Sequence, residues 1–218
     1  MKHDFEHIFS VLEREYNLLP TPSVTQIANL TKNDPFLVMI STVISLRTKD
    51  EITLKASKNL FKVADTPYKM SELIPEEIGK LIFPAGFYKK KGETIHNISK
   101  YIVDKYCGKV PDNIEELLKI KGVGRKTANL VMVEGFKSDA ICVDTHVHRI
   151  MNRMGIVNTK NPNETEMELR KILPKRYWKR WNEILVSYGQ HICRPISPFC
   201  SSCNLYRFCD KVGVNNWR

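Results

Sequence analysis

Four of the chain's six cysteines, Cys193, Cys200, Cys203 and Cys209, fall near its end in the pattern C-x6-C-x2-C-x5-C. Four thiolates this close together can close their loop around one tetrahedral zinc or one iron-sulfur cubane, and the chain must fold so that they meet. Structural zinc sites commonly supply two short knuckles, and here only Cys200 and Cys203 make one. Disulfides are the third option, although a secreted scaffold spreads its cysteines along the whole chain. Cys107 and Cys142 lack such company and read as buried thiols.

The rest of the chain is patterned for helices. Phe5, Ile8, Phe9 and Leu12 share one face of a first helix, and similar stripes run through Ile95, Ile98 and Ile102, through Val147, Ile150, Met151 and Met154, and through Trp181, Ile184, Leu185 and Tyr188. Asp34-Pro35 pairs a capping acid with a first-turn proline, while Thr48 with Glu51 and Asp112 with Glu115 have capping-box spacing. Helices are expected over roughly 35–46, 48–61 and 112–119. Alternating apolar runs are nearly absent, and Ala140 to Val143 is too brief to establish a strand. The fold class is all-α.

Lys and Arg outnumber Asp and Glu by 34 to 24, for a formal charge of +10, which suits a polyanion such as nucleic acid or an acidic membrane surface. No apolar run reaches signal-peptide or spanning length, so an intracellular protein without a membrane partner is expected, cytoplasmic if prokaryotic. Ile114 to Leu130 reads as helix, Gly122-Val123-Gly124 turn, helix. Glycines there permit positive φ and close approach of the backbone, leaving amides at the second helix start to hold a phosphate. Val123 between the glycines, basic Arg125 and Lys126, and small Ala128 complete a helix-hairpin-helix phosphate clamp, which gives register on DNA without reading sequence.

The run Gly122-Val123-Gly124-Arg125-Lys126-Thr127-Ala128-Asn129, followed by Val143-Asp144-Thr145-His146 and by the cysteine spacing, resembles the endonuclease III family of DNA glycosylase/AP lyases. The resemblance covers about residues 28–209. It implies two helical domains with a DNA-binding cleft between them: a central one over 28–138, and a cluster domain from 1–27 plus 139–218, with the N-terminal helix packed onto it. It also implies that the four cysteines hold a 4Fe-4S cluster, that Lys126 attacks C1′ of the damaged nucleotide, and that Asp144 assists. An attacking lysine must present an unprotonated amine, by desolvation, a neighbouring cation or a helix start, whereas a carboxylate serves proton transfer and stabilises oxocarbenium-like charge. Asp144 equally fits a helix N-cap before Val147 and Ile150. His146 and His148, two apart, share no helix face and make no metal pair.

By the same resemblance, Gly86 to Lys91 matches the loop that wedges into DNA, with Phe87 at the inserting position and Lys89 and Lys91 available to phosphates. Ser45 to Asp50 matches a second inserting loop, in which Arg47 stands where many members have glutamine; arginine brings donors but no acceptor. Lys121 likewise stands where proline is frequent. The implied function is a monomeric bifunctional DNA glycosylase/AP lyase of base-excision repair. It excises oxidised pyrimidines through a lysine Schiff base and cleaves abasic sites by β-elimination in duplex DNA. Two alternatives stay open: a monofunctional glycosylase for mismatched thymine or uracil, against which Lys126 argues, and a noncatalytic DNA-structure-binding module with structural zinc.

Overall fold

The computed structural model describes residues 4–218; the first three residues assigned by sequence to the cluster domain lie outside them. In chain order the α-helices are α1 (Phe5–Tyr16), α2 (Ser23–Leu30), α3 (Pro35–Ser45), α4 (Asp50–Val63), α5 (Pro67–Glu72), α6 (Pro75–Ile82), α7 (Tyr88–Tyr106), α8 (Ile114–Lys119), α9 (Arg125–Leu130), α10 (Thr145–Arg153), α11 (Pro162–Ile172) and α12 (Trp178–His191). A π-helical turn, Val131–Gly135, continues α9. No strand occurs among the described residues, and Ala140 to Val143 is buried, irregular chain.

The chain divides into two compact units. The first is Ser23–Ala140, with α3 at its centre. Asp34 caps α3 by accepting from the Leu37 amide at 2.9 Å, Pro35 occupies its first turn, and every residue from Phe36 to Ile44 is buried. A helix apolar on all sides has to be surrounded, and α2, α4, α7, α9 and the π-helical turn supply the cover. Ile95, Ile98 and Ile102 of α7 are fully buried, as their spacing predicts. Gly92 admits α6, since a Cβ there would lie 2.3 Å from the Pro75 carbonyl oxygen.

Two caps differ from those expected. Thr48 does not begin α4; Lys49 stands at that N-cap without a side-chain bond, because the Thr48 hydroxyl accepts from the Gly86 amide at 3.1 Å and from Lys91 at 2.8 Å. Asp112 yields its place to Asn113, whose side chain accepts from the Glu116 amide at 2.8 Å. Amide and carboxylate are comparable caps, so neighbouring candidates are decided by chain direction rather than by residue type.

The second unit joins residues 4–22 to Ile141–Arg218. Asp4 caps α1 through the His7 amide at 3.0 Å. Phe5, Ile8 and Leu12 of α1 pack with Val147, Ile150 and Met151 of α10, Leu169 of α11 and the fully buried Trp181 of α12. The core wraps around Trp181, which meets Phe5 edge-on and Phe9 in parallel, each with ring centroids 6.2 Å apart. Burying side chains of this size contributes about 1.5–3 kcal/mol each. Cys142 is buried as expected, whereas Cys107 is exposed because α7 ends there in a left-handed residue, φ 50°, that turns the chain outward.

Candidate active site

The hairpin forms where the glycines predict it. The amide of Val123 donates to the carbonyl of Ile120 at 2.9 Å, which turns the chain directly after α8. Gly122 has φ +97°, and a Cβ on it would come within 2.6 Å of the Thr94 methyl. Gly124 differs: its φ of −88° suits any residue, and a Cβ would meet nothing within 4 Å. The protein itself does not require glycine there, so the bare backbone faces space that a partner can approach closely. Val123 is buried and anchors the turn, and Ala128 and Asn129 are fully buried on the core side of α9. Arg125 and Lys126 fill the first turn of α9, both half-buried.

Asp144 is buried at the start of α10, only 5% exposed. One carboxylate oxygen accepts from the amides of His146 at 2.8 Å and Val147 at 3.0 Å. The residue is therefore an N-cap, as its position before Val147 and Ile150 allows, and the cap fixes the carboxylate's orientation. His146 meets Arg149 through its Nδ1 at 3.1 Å, and His148 Nδ1 meets Thr165 Oγ1 at 2.7 Å.

In the first unit, the loops of Arg47 and Phe87 are brought together. The Arg47 guanidinium carbon lies 5.7 Å from the Phe87 ring centroid. A Cβ on Gly86 would approach the Arg47 carbonyl oxygen to 2.5 Å, so glycine lets the two turns touch. Phe87 is 62% exposed, far more than a core aromatic. Arg47 and Phe87 both have left-handed backbones, φ 52° and 57°. Such a conformation costs a residue with a side chain on the order of 1–3 kcal/mol and has to be held by its surroundings.

Lys89 is exposed in the first turn of α7, but Lys91 is not available to a phosphate. It is 6% exposed, and its ammonium donates to the carbonyls of Ile44 and Leu46, each at 2.6 Å, and to Thr48 Oγ1 at 2.8 Å. The expectation for Lys91 is thus corrected: its three protons face three acceptors inside the protein. The signal lay in the spacing, because Lys91 precedes Ile95, Ile98 and Ile102 on the same face of α7.

The four C-terminal cysteines line one pocket with Ile150, Met154, Tyr188 and Leu205, its empty space about 450 Å3 with the open mouth included. Among the described residues no three His, Cys, Asp or Glu side chains are grouped as a single metal ion requires. The Tyr188 hydroxyl lies 2.9 Å from Cys203 Sγ, and Arg153 donates to Cys193 Sγ at 3.5 Å. Burial pushes the Cys200, Cys203 and Cys209 thiols up, while backbone hydrogen bonds at Leu205 and Lys211 act oppositely on Cys203 and Cys209. Such a pocket takes thiolates when an electron-poor inorganic group replaces their protons. Arg149 and Arg153 were missed in the sequence. They bind the loop's backbone: Arg149 reaches the Gly189 and Cys193 carbonyls at 2.9 and 2.8 Å, and Arg153 the Arg194 and Pro195 carbonyls at 2.6 and 2.7 Å. These partners lie 40 to 44 residues away in the chain, beyond the reach of local patterns.

The chain as a whole is similar to known proteins. Residues 40–175 match the model of the HhH-GPD superfamily of base excision DNA repair proteins. The chain is 51% identical to Endonuclease III of Thermotoga maritima over 182 residues, covering 84% of this chain and 85% of that protein. Among solved structures it is similar to a non-covalent Endonuclease III-DNA complex, with 36% identity, TM-score 0.77, and coverage of 82% of this chain and 84% of that one. It is also similar to a trapped Endonuclease III-DNA covalent intermediate, with 31% identity, TM-score 0.79, and coverage of 96% and 97%. The chain belongs to the HhH-GPD superfamily of base excision DNA repair proteins and, within it, to the endonuclease III family.

Proposed function

We infer that the protein is a bifunctional DNA glycosylase/AP lyase of base-excision repair, acting on oxidised pyrimidines and abasic sites in duplex DNA. The observation that carries this reading is the position of Lys126, in the first turn of α9 two residues after the open backbone of Gly124. A phosphate held at the Gly122-Val123-Gly124 turn sets a nucleotide near the amine. The covalent intermediate trapped for a relative of 31% identity supports chemistry of the same kind.

In this account Lys126 Nζ attacks C1′, the glycosidic bond breaks, and the base leaves with the bonding electron pair. The attached amine gives up a proton, its lone pair breaks the C1′–O4′ bond as O4′ takes up a proton, and the lysine remains linked to the opened sugar at C1′ as a protonated Schiff base. Loss of a proton from C2′ then expels the 3′ phosphate, cutting the strand, and water releases the lysine. Asp144, oriented by its two amide bonds, stabilises positive charge developing on the sugar and moves the proton from the attacking amine. Arg47 and Phe87 enter the space left by the extruded nucleotide, and Lys89 and Arg125 contact phosphates. The protein acts on DNA as a monomer.

The pocket of Cys193, Cys200, Cys203 and Cys209 suits a 4Fe-4S cluster. When bound, the cluster would tie the C-terminal loops together as a structural cross-link with redox capacity. Purified protein is expected to be brown and to contain about four irons per chain. Cys203→Ala should lose colour and iron together. A colourless protein with one zinc per chain would contradict the assignment.

No helix among the described residues is long and apolar enough to cross a membrane. The function itself is tested with duplexes carrying thymine glycol, uracil, mismatched thymine or an abasic site, scoring base release and strand cleavage separately. Base release from thymine glycol with cleavage there and at the abasic site is the expected pattern. Release from mismatched thymine or uracil without cleavage would replace this reading with a monofunctional one. Tight, salt-sensitive binding that leaves every lesion intact would replace it with a noncatalytic module.

A further inference from the structure

Lys91 takes no part in the chemistry above, yet it is held at a desolvation cost that an apolar residue on the same stripe would avoid. Among the described residues no carboxylate answers its charge; its partners are the carbonyls of Ile44 and Leu46 and the Thr48 hydroxyl. Burial pushes its ammonium down to about 8, so at neutral pH it remains a donor of three hydrogen bonds. The Thr48 hydroxyl passes the connection on by accepting from the Gly86 amide at 3.1 Å, and the Lys91 amide donates to the Phe87 carbonyl at 3.0 Å. Arg47 therefore sits between two gripped residues, Leu46 and Thr48. Phe87 is gripped through Gly86 before it, and its own carbonyl accepts the first backbone bond of α7, which does not depend on the Lys91 side chain.

We propose that Lys91 is a positioning residue for base extrusion, clasping the two turns so that Arg47 and Phe87 are presented to the duplex as one preorganised wedge. The proposal rests on the reading that these loops meet DNA at the lesion. Its physical content is that two strained turns held in place before binding need not be ordered while the duplex is being unstacked. An abasic nucleotide has no base to unstack and depends less on the wedge.

The test uses the full-length, cluster-loaded protein and the variants Lys91→Met, Thr48→Val, Arg47→Ala and Phe87→Ala. It reads amide hydrogen exchange at residues 46–48 and 86–88, single-turnover base release from a thymine glycol duplex, and cleavage of a preformed abasic duplex. Lys91→Met is expected to speed exchange in both turns and slow base release about tenfold or more. Abasic cleavage should stay within about threefold of wild type, the split that a general loss of folded protein would not produce. Thr48→Val, which keeps the lysine, should move the same readouts in the same direction by less. Wild-type base release by a folded Lys91→Met, or equal losses of base release and abasic cleavage, would overturn the proposal. If Lys91→Met fails to fold, Thr48→Val decides: a selective loss of base release upholds the clasp, and wild-type rates overturn it. Wild-type base release by both Arg47→Ala and Phe87→Ala would remove the reading of the loops and the proposal with it. An effect of those two without an effect at Lys91 or Thr48 would remove the proposal alone.

Discussion

Lys126→Gln is expected to lose strand cleavage at abasic sites by on the order of 10³-fold or more, since the residue that forms the covalent link is gone. Glutamine is similar in length and a good helix former, and the position is only half-buried at the start of α9, so stability should change by no more than about 0.5 kcal/mol. Binding to lesion-containing duplex should persist, because the Gly122-Val123-Gly124 turn and its phosphate contact are untouched. A gel assay on abasic duplex beside a thermal melt separates the two effects. Strand cleavage near the wild-type rate by a folded Lys126→Gln would show that the nick does not pass through this amine.

Asp144→Asn gives the second large effect, with a different signature. Asparagine caps helices about as well as aspartate, so α10 should keep its first turn and the protein its stability within about 0.5 kcal/mol. What disappears is the charge and the proton-accepting oxygen, and base release should fall about 10²–10⁴-fold. Asp144→Ala loses the cap as well, at a further cost of about 1 kcal/mol. Comparing the two substitutions distinguishes the chemical role from the structural one, since both are carried by a carboxylate that already accepts from His146 and Val147. Equal activity in Asp144→Asn and wild type would reduce Asp144 to a cap.

The helical class and the hairpin were legible because each follows from short-range rules. The stripe Ile95, Ile98, Ile102 and the stripe Val147, Ile150, Met151 are buried as their spacing requires. The same period places Lys91 inside, although its neighbours Lys89 and Lys90 give the segment the look of a solvated basic run. The cap of α4 moved by one residue because Thr48 is committed to Gly86 and Lys91, bonds that capping-box spacing does not encode, and that of α8 because Asn113, at the same spacing from Glu116 as Asp112 from Glu115, takes the cap instead. Arg149 and Arg153 could not be found at all from local pattern. Their partners are carbonyls of the cysteine loop, and a backbone acceptor leaves no mark on residue identity. Buried Glu134 is a similar case: it accepts from Thr25 at 2.8 Å, 109 residues away in the chain.

The measurement that bears most directly on the central claim is borohydride reduction of the wild-type protein on an abasic duplex, followed by digestion and mass mapping of the adduct. Reduction converts the Schiff base to a stable amine. The account predicts one covalent protein-DNA species, with the sugar remnant carried by Lys126. An adduct mapped to another amine, or strand cleavage without any trapped species, would contradict it.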